Sequence, residues 1–381
     1  MKIGIVTLWN TEDNYGGIMQ TYALQRYLRN EGHDAYIIRL LYYAGTYSKL
    51  KRIIKKILVC LHLLKADFTY RRNVLSRNKV NHRLFSEFRK KYISCSTYEY
   101  HSLFSIRHFP PSADCYITGS DQVWAMPLSD PREAWHYLNF GNRKTRRISY
   151  AASFGHDVFP KNDEEKFKSY IKDFYRISVR EKSGLRICES MGFNAVLAID
   201  STFLLEADIY KKIMSAQKYS SKYAYIYSVN MSTASEIYWD VLKKELVKLK
   251  YEMVATTASG YSAARELFTD VNYDYATPTE WLSNIYHSSV VLTSSFHGIA
   301  FSILFKKEFI YFPLKSKYKS GNDRITDLLA IVGLENRIAF NEVDALNLLY
   351  KNIDYNNIDT NKLEDLIFKS KQYLKECLSF S

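Results

Sequence analysis

The sequence predicts an α/β protein with two domains of parallel β-sheet that face each other across a cleft. Two observations predict this fold class. Short apolar runs alternate with longer segments of helical periodicity, and the alternation occurs in two successive series separated by the polar stretch 216–222. The length of 381 residues is sufficient for two hydrophobic cores. We therefore predict an N-terminal domain at 1–215 and a C-terminal domain at 216–381.

The apolar runs and the helical segments give the predicted elements of each series. In the first series, strands are predicted at 3–8, 35–38, 115–118, 148–152, 176–179 and 196–199, and helices at 19–30 and 182–191. In the second series, strands are predicted at 223–229, 252–256, 290–293 and 309–312, and helices at 234–248, 278–287 and 296–305. A last helix is predicted at 362–378, and one arrangement open to it is packing back on the first domain.

The charge and the cysteines restrict the class of protein. There are 53 Lys and Arg against 40 Asp and Glu, a net charge of +13, which favours a polyanionic partner, an acidic substrate or an anionic membrane surface. No nucleic-acid motif accompanies the charge, so we expect no nucleic-acid partner. The five cysteines are scattered without a C-x-x-C pair, which indicates reduced thiols in a cytoplasmic protein and neither a disulfide framework nor a zinc site.

The segment 49–65, KLKRIIKKILVCLHLLK, combines basic and apolar residues in the way of a helix that lies on an anionic membrane surface. A core-packed helix with a solvated basic edge explains the same pattern. No apolar stretch reaches the length of a membrane span. We therefore expect a cytoplasmic protein, with the inner face of the cell membrane as one location open to it.

Residues that directly follow predicted strands are the first candidates for a site, because ligands of open α/β sheets bind at the carboxyl ends of the strands. After the first strand come Asn14, Gly16 and Gly17, where paired glycines before a helix let the backbone approach an anion closely. A plain tight turn is the alternative. The spacing matches neither a dinucleotide-binding nor an ATP-binding pattern, so neither cofactor is predicted.

A second strand exit carries Ser120, Asp121 and Trp124, a hydroxyl, a carboxylate and an indole that could line a sugar site. The alternative is a helix cap at Ser120 or Asp121 with Trp124 in the core. At a third exit, Arg180 is suited to bidentate recognition of a carboxylate or a phosphate. Its alternative is a structural ion pair with Glu181 or Asp200.

The fourth strand exit is the most specific of these segments. Ser294 and Ser295 end an apolar strand, and His297 then opens a helix. Because the ordinary pKa of histidine lies near neutrality, His297 suits proton transfer or contact with an anion; a helix-capping histidine is the alternative. After the next strand, Lys315 could supply a positive charge to a phosphate, whereas an isolated lysine is more often only solvated.

In combination, these segments resemble the polysaccharide pyruvyl transferase family over most of the chain. The resemblance is carried by six segments in order: 14–24 (NYGGIMQTYAL), 119–124 (GSDQVW), 149–155 (SYAASFG), 178–181 (SVRE), 295–298 (SFHG) and 323–329 (DRITDLL). It departs from the family pattern at Gly17, where some members have an acid, and at 200–202, where Asp-Ser-Thr replaces Asp-Pro-Thr.

The resemblance implies two Rossmann-like domains, as in the GT-B glycosyltransferases, and transfer of pyruvate from phosphoenolpyruvate to two hydroxyls of a sugar. The acceptor would be a surface polysaccharide, such as a capsule or exopolysaccharide, or its lipid-linked precursor. The product would be a cyclic ketal and phosphate. His297 would be the acid and Asp121 a possible base, with phosphoenolpyruvate as donor substrate and no metal or other cofactor. Two alternatives stay open: a glycosyltransferase that uses a nucleotide sugar, and a non-catalytic, membrane-peripheral assembly protein.

Overall fold

The computed structural model describes residues 1–41, 82–126, 128, 134–258 and 266–379. The predicted basic segment 49–65 lies outside the described residues. Two β-sheets organise these parts of the chain, a sheet of seven strands from the first half and a sheet of five strands from the second half. Every strand pair in both sheets is parallel. The predicted α/β class with two parallel sheets is therefore confirmed.

The first sheet has the spatial order β3-β2-β1-β4-β5-β6-β7. Its strands are β1 (Lys2–Val6), β2 (Asp34–Leu40), β3 (Cys95–Tyr100), β4 (Cys115–Asp121), β5 (Arg146–Ala152), β6 (Ile177–Val179) and β7 (Ala195–Leu197). Its helices are α1 (Tyr15–Asn30), α2 (Phe85–Tyr92), α3 (Leu103–His108), α4 (Glu164–Ile171), α5 (Lys182–Ser190) and α6 (Ala207–Lys211). The central strands β4 and β5 are buried along almost their whole length, as expected for strands covered by helices on both faces.

The second sheet has the order β10-β9-β8-β11-β12. Its strands are β8 (Tyr223–Val229), β9 (Glu252–Ala258), β10 (Asn272–Tyr273), β11 (Val290–Thr293) and β12 (Phe309–Tyr311). Its helices are α7 (Trp239–Lys248), α8 (Pro278–His287), α9 (Phe296–Leu304), α10 (Asp323–Val332) and α11 (Glu342–Tyr350), and the long helix α12 (Asn361–Leu378) ends the chain. Every strand predicted from the sequence corresponds to one of these strands, with bounds that differ by at most a few residues.

Two strands and several helices differ from the sequence-based prediction, which has no helix at α2, α3, α4, α6, α10 or α11. The edge strand β3 was not predicted because its residues are mostly polar and exposed, and β10 is only two residues long. The single helix predicted at 234–248 is wrong. A short 3₁₀ helix is followed by Tyr238, whose φ of 56° is a left-handed conformation, and α7 begins only after it.

The C-terminal helix α12 contacts the first sheet although it follows the second sheet in sequence. The hydroxyl of Tyr373 donates to the backbone oxygen of Ser149 in β5 at 2.8 Å. The side-chain oxygen of Ser370 accepts a hydrogen bond from the backbone N–H of Ile199 at 2.9 Å. A buried apolar cluster continues from β1 and α1 through α9 to α12, so both halves of the chain share one core. None of the helices that the structure describes is long and apolar enough to cross a membrane.

Candidate active site

The carboxyl ends of strands from both sheets carry a group of charged side chains, which we call the Arg180 cluster. It consists of Asp121, Arg180, Asp200, His297 and Arg324, to which Glu181 contributes a carboxylate. Asp121 ends β4 and Arg180 directly follows β6, whereas His297 and Arg324 lie in the first turns of α9 and α10. The cluster is therefore built from both halves of the chain, at the edge where ligands of such sheets bind.

Asp200 lies at the centre of the cluster and is fully buried. Its Oδ2 accepts hydrogen bonds from Nη1 of Arg180 at 2.7 Å and from the hydroxyl of Ser120 at 2.9 Å. Its Oδ1 accepts from the backbone N–H and the hydroxyl of Thr202, and thereby caps the short 3₁₀ helix Ser201–Leu204. Four donors thus hold this carboxylate in one orientation.

Burial on its own would raise the pKa of Asp200. The neighbouring imidazole of His297, the guanidinium of Arg180 and the N–H of Thr202 outweigh that effect and lower the pKa well below its usual range. Asp200 is therefore ionised throughout the physiological pH range. It supplies a fixed negative charge 3.7 Å from Nε2 of His297.

The guanidinium of Arg180 is buried among three carboxylates. Besides its hydrogen bond to Asp200, its Nη2 lies 3.7 Å from Asp121 and its Nε lies 3.9 Å from Glu181. Burial acts to lower the pKa of Arg180, but Asp200, Asp121 and Glu181 raise it above the ordinary value. The ion pair with Asp200 that the sequence offered as an alternative role for Arg180 is therefore present. Nε and Nη2 nevertheless have no hydrogen-bond partner.

Arg324 is the second cation of the cluster and was not among the predicted site residues. It is half-buried, and its buried Nε has no hydrogen-bond partner. Burial and the neighbouring charge of Arg180 lower the pKa of Arg324 to about 10, against the opposing effect of Asp121, Glu181 and Tyr311. The segment 323–329 was part of the family resemblance, and this was the signal in the sequence that could have identified Arg324.

His297 is held by the structure of the helix that it opens. Ser295 caps α9, since its hydroxyl accepts a hydrogen bond from the N–H of Gly298 at 3.3 Å. The imidazole packs against the start of α1, where a Cβ built on Gly16 would lie 2.1 Å from Nδ1 of His297. Its Nε2 is buried without a hydrogen-bond partner and faces Asp200. His297 is therefore in contact with both halves of the chain.

In the turn between β1 and α1, the side chain of Asn14 forms its hydrogen bond within the turn itself. Asn14 caps α1 by accepting a hydrogen bond from the N–H of Gly17 at 2.9 Å, and a Cβ at Gly17 would crowd the side chain of Asn14. Gly16 allows the close approach of His297. The two glycines thus serve tight packing at this turn, and the binding of an anion by their backbone stays a prediction.

The placement of Trp124 in a sugar site is wrong. Its side chain is 0% exposed and packs among Tyr137, Phe154 and Phe167, so that the indole offers no face to a ligand. The core alternative describes it correctly. Ser294 also has a structural role, because its hydroxyl donates to the backbone oxygen of Val229 and accepts from the N–H of the same residue. This exchange joins the ends of β8 and β11 and leaves no free hydroxyl proton for a substrate.

Of the other predicted residues, Ser120 and Ser295 have structural roles, and Lys315 lies outside the cluster. Ser120 is fully buried behind Asp200 and orients that carboxylate rather than a ligand. Ser295 is committed to the cap of α9. Lys315 is exposed, and its ammonium lies 5.0 Å from the centroid of the Tyr238 ring, a residue outside the cluster. Contact of Lys315 with a phosphate therefore stays a prediction.

The described structure also has a concave surface away from the Arg180 cluster. A groove of about 870 Å³ runs along the edge strand β3 and is lined by residues such as Tyr36, Tyr98 and Phe109. None of the residues that line it belongs to the Arg180 cluster. Its lining includes the charged residues Lys2, Arg29, Asp34 and Glu99 among otherwise uncharged residues. The Arg180 cluster, with its unpartnered donors, is therefore the candidate active site.

Comparisons with solved structures identify the architecture. The UDP-GlcNAc 2-epimerase of Methanocaldococcus jannaschii, in complex with UDP-GlcNAc and UDP, is similar with a TM-score of 0.50 at 11% identity, over 98% of this chain and 100% of the other. The UDP-GlcNAc 2-epimerase of Neisseria meningitidis has a TM-score of 0.49 at 9% identity, over 99% of both chains. MurG of Acinetobacter baumannii has a TM-score of 0.41 at 8% identity, over 98% of this chain and 95% of the other. The fold is that of the GT-B enzymes.

Comparisons of the sequence are more specific. No curated protein matches the chain in sequence. The model of the family described as polysaccharide pyruvyl transferase matches residues 14–316. The match spans the turn at Gly16, the Arg180 and Asp200 segments and the start of α9 with His297. The GT-B architecture and the position of the charged cluster agree with this match, and the chain belongs to the polysaccharide pyruvyl transferase family.

Proposed function

We propose that the protein transfers the pyruvyl group of phosphoenolpyruvate to two hydroxyls of a saccharide and releases phosphate. The observation that carries the proposal is a set of buried nitrogen atoms in the Arg180 cluster without a hydrogen-bond partner, namely Nε and Nη2 of Arg180, Nε of Arg324 and Nε2 of His297. Unpartnered buried donors are rare and costly in folded proteins, so their convergence in one cluster favours an anionic ligand.

The carboxylates of the cluster form no hydrogen bonds with these nitrogen atoms. Glu181 accepts hydrogen bonds from the backbone N–H groups of Phe154 at 2.7 Å and Gly155 at 3.3 Å. Asp200 is satisfied by Ser120 and Thr202 as well as by Arg180. Neutral donors thus hold Asp200 and Oε1 of Glu181, whereas Oε2 of Glu181 has no hydrogen-bond partner and lies 3.9 Å from Nε of Arg180. Nη2 of Arg180 and Nε of Arg324 can therefore donate to the phosphate and the carboxylate of phosphoenolpyruvate.

His297 is the proposed proton donor. Transfer of its proton to the methylene carbon of phosphoenolpyruvate forms the methyl group and leaves the central carbon electron-deficient. A sugar hydroxyl attacks that carbon, phosphate departs with the electron pair of its carbon–oxygen bond, and a second hydroxyl closes the ketal. Of the two hydroxyl protons, one replaces the proton given by His297 and the other leaves with phosphate. The ionised Asp200 is an anion that can pair with the imidazolium form.

Asp121 is the proposed acceptor of a hydroxyl proton. No described residue donates a hydrogen bond to its carboxylate, and its closest charged neighbour is Arg180 at 3.7 Å. Its backbone has a φ of 77°, a left-handed conformation that is rare for residues other than glycine and that clusters at functional sites. A carboxylate without a committed donor is suited to accept a proton from an incoming hydroxyl.

Calorimetric titration of the full chain with phosphoenolpyruvate tests the proposal. We expect saturable binding that is tighter than that of inorganic phosphate and is weakened in Arg324→Met. Arg180→Ala is a poor variant for this purpose, because it would leave the buried Asp200 without its cation. Arg143→Met, which alters an exposed arginine outside the cluster, is the control.

Turnover is the second arm of this experiment. Release of phosphate from phosphoenolpyruvate in the presence of saccharide acceptors, followed by ³¹P NMR, should depend on His297. Saturable binding of a nucleotide sugar with no binding of phosphoenolpyruvate would replace the proposal with glycosyl transfer.

A further inference from the structure

A pocket lined by cations lies on the first half of the chain, away from the Arg180 cluster. Its volume is about 350 Å³, and it is formed where the C-terminal ends of α1 and α2 meet the end of α6. No Asp or Glu is among the described residues that line it. We call it the basic pocket, after the five cationic residues in its wall: Arg26, Arg29, Lys90, Lys91 and Lys212.

Most of these cations have no acidic partner. Among the described residues, Glu87 pairs with Lys90 at 3.0 Å. Arg26, Lys91 and Lys212 are exposed and form no ion pair with a described acid. Because like charges repel each other, gathering them in one concave surface is unfavourable unless an anion joins them.

The ends of two helices explain only part of this charge. Arg29 lies in the last turn of α1, and Lys90 and Lys91 lie in the last turn of α2, where the helix dipole favours a cation. Each helix end carries about half a negative elementary charge. Together with Glu87, the two ends therefore offset about two of the five positive charges. The rest of the positive charge has no counterpart in the described chain, which favours an external anion.

The floor of the basic pocket is fixed by hydrogen bonds between α1 and the residue before β3. The side chain of Gln25 donates through Nε2 to the backbone oxygen of Ser94 at 2.7 Å. It also accepts through Oε1 from the backbone N–H of Ser94 at 2.9 Å. This exchange holds α1 against the turn that follows α2. The fold therefore sets the separation between the cations of the two helices.

Apolar and aromatic side chains share the wall with the cations. Tyr92, Ile209 and Ile213 are half-buried in it, and Tyr22 and Ile93 lie buried at its base. A small inorganic anion would contact the cations alone. An amphipathic anion, with a phosphate at one end and an apolar body, would contact both kinds of side chain. The composition of the wall therefore favours an anionic lipid.

The basic pocket is separate from the proposed site of pyruvyl transfer. Both lie along α1, but Gly16 at its start contacts His297, whereas Arg26 lies about ten residues further on, roughly 15 Å along the helix axis. None of the residues that line the pocket belongs to the Arg180 cluster. A phosphate bound in the pocket would therefore not be the phosphate of the reacting phosphoenolpyruvate.

We infer that the basic pocket binds the phosphate of an anionic lipid headgroup and thereby attaches the protein to an anionic membrane surface. The inference does not depend on the proposed function. An anionic membrane was one of three partners compatible with the net charge of +13, and the sequence associated it only with 49–65. The pocket is a different site, built from residues that the structure describes. Each Lys or Arg close to such a surface strengthens binding by about fivefold.

Co-sedimentation of the full chain with vesicles tests the inference. We expect wild type to sediment with vesicles of phosphatidylcholine and phosphatidylglycerol, but not with vesicles of phosphatidylcholine alone. A triple variant of the pocket, Arg26→Gln with Lys91→Gln and Lys212→Gln, should bind the anionic vesicles about 100-fold more weakly. Its thermal unfolding should be unchanged, because the three side chains are exposed and have no acidic partner.

A second triple variant is the matched control. Lys144→Gln with Lys161→Gln and Lys362→Gln removes the same charge from exposed positions outside the pocket. It should bind the anionic vesicles nearly as tightly as wild type. Wild-type binding by the pocket variant would overturn the inference, because the membrane would then contact another part of the chain. An equal loss in both variants would also overturn it, since only the net charge would then matter.

Calorimetry distinguishes the lipid from a free anion. A short-chain phosphatidylglycerol, titrated as a monomer, and glycerol 3-phosphate present a similar phosphate with and without acyl chains. We expect the lipid to bind more tightly, and this binding to be lost in the pocket variant. Equal affinity of the two compounds would overturn the assignment to a lipid in favour of a free phosphate compound.

Phosphoenolpyruvate separates this result from the proposed function. The pocket variant should bind it as wild type does, because the Arg180 cluster is intact. A loss of phosphoenolpyruvate affinity of about tenfold or more in the pocket variant would overturn the separation of the two sites. If wild type binds anionic vesicles but no phosphoenolpyruvate, the proposed function fails and the inference stands.

Discussion

Nδ1 of His297 lies where a side chain at position 16 would have to begin: a Cβ built on Gly16 would be 2.1 Å from that nitrogen. Real Cβ atoms do not approach a ring nitrogen so closely, and only glycine permits the contact. Gly16 opens the first helix of one half, and His297 opens a helix of the other half. The position of the proposed proton donor therefore depends on how closely the two halves approach each other.

Gly16→Ala should displace the imidazole of His297 and reduce turnover more than it reduces phosphoenolpyruvate affinity. Overpacking of this kind destabilises a protein by about 1–3 kcal/mol. The measurement is kcat against KM for phosphoenolpyruvate, together with urea denaturation. Gly321→Ala is the matched control, because its Cβ would meet Arg324 and Leu314 only at ordinary contact distances of 3.7 and 3.8 Å. Equal turnover in the two variants would contradict the positioning role of Gly16.

His297→Gln should abolish proton donation and preserve the fold. The amide keeps polar atoms near Asp200 but cannot act as an acid, so we expect kcat to fall by about 10²- to 10⁴-fold, the usual contribution of a general acid. Phosphoenolpyruvate affinity, which we assign to the arginines, should change little. Calorimetry and ³¹P NMR of phosphate release measure the two effects separately. Wild-type turnover in His297→Gln would remove His297 from the mechanism.

Much of this site could be predicted because its residues lie next to regular elements. The apolar run that ends in three hydroxyl residues before His297 identifies β11 and the start of α9, and it places the imidazole at a carboxyl edge. Arg180 could be placed in the same way from β6. The alternative pairing of Arg180 with Asp200 was also visible, since the two residues follow adjacent strands.

The rest depends on contacts between distant parts of the chain. Arg324 reaches Arg180 only because α10 of the second half packs beside the first sheet, and local periodicity carries no information about that approach. Trp124 follows a strand exit just as Asp121 does. Its position in the core is decided by Tyr137 and Phe167, which lie further along the chain. The edge strand β3 has too few apolar residues to be recognised by its burial pattern.

Arg324→Met should weaken the binding of phosphoenolpyruvate and leave the stability of the fold nearly unchanged. The guanidinium of Arg324 is placed beside Arg180, has an unpartnered Nε, and has a pKa lowered to about 10 by burial and by that like charge. Replacing it with an apolar side chain should therefore change the free energy of unfolding by no more than about 1 kcal/mol, and could raise it. Phosphoenolpyruvate affinity should fall by about 10- to 100-fold, since hydrogen bonds to charged groups contribute about 1.5–3 kcal/mol.

Urea denaturation and calorimetry of Arg324→Met provide both values. A variant that loses several kcal/mol of stability (about what a broken buried ion pair costs) and keeps its phosphoenolpyruvate affinity would show that Arg324 has a structural role. Phosphate should also stabilise wild type more than it stabilises the variant, because a ligand that binds only the folded state raises the free energy of unfolding.

Asp200→Asn should be the most destabilising change in the cluster, because it leaves Arg180 buried without its closest anion. Removing one partner of a buried ion pair costs about 3–5 kcal/mol. Asp121→Asn is the matched control: its carboxylate lies 3.7 Å from Arg180, compared with 2.7 Å for Asp200, and no described residue donates a hydrogen bond to it. We expect a clearly smaller loss of stability in Asp121→Asn, measured by urea denaturation at pH 7.

The pH dependence of the same difference tests the charge of Asp200. Its pKa in the folded state is lowered, so its contribution is fully present above the unfolded value of about 3.9 and declines only as the pH falls below that value towards the folded pKa. The difference in unfolding free energy between wild type and Asp200→Asn should therefore show no decline from about pH 8 to pH 5 and should shrink below about pH 4. A difference that already declines between pH 7 and pH 5 would mean that Asp200 takes up a proton there, and that it is not the fixed anion beside His297 that the proposed mechanism requires.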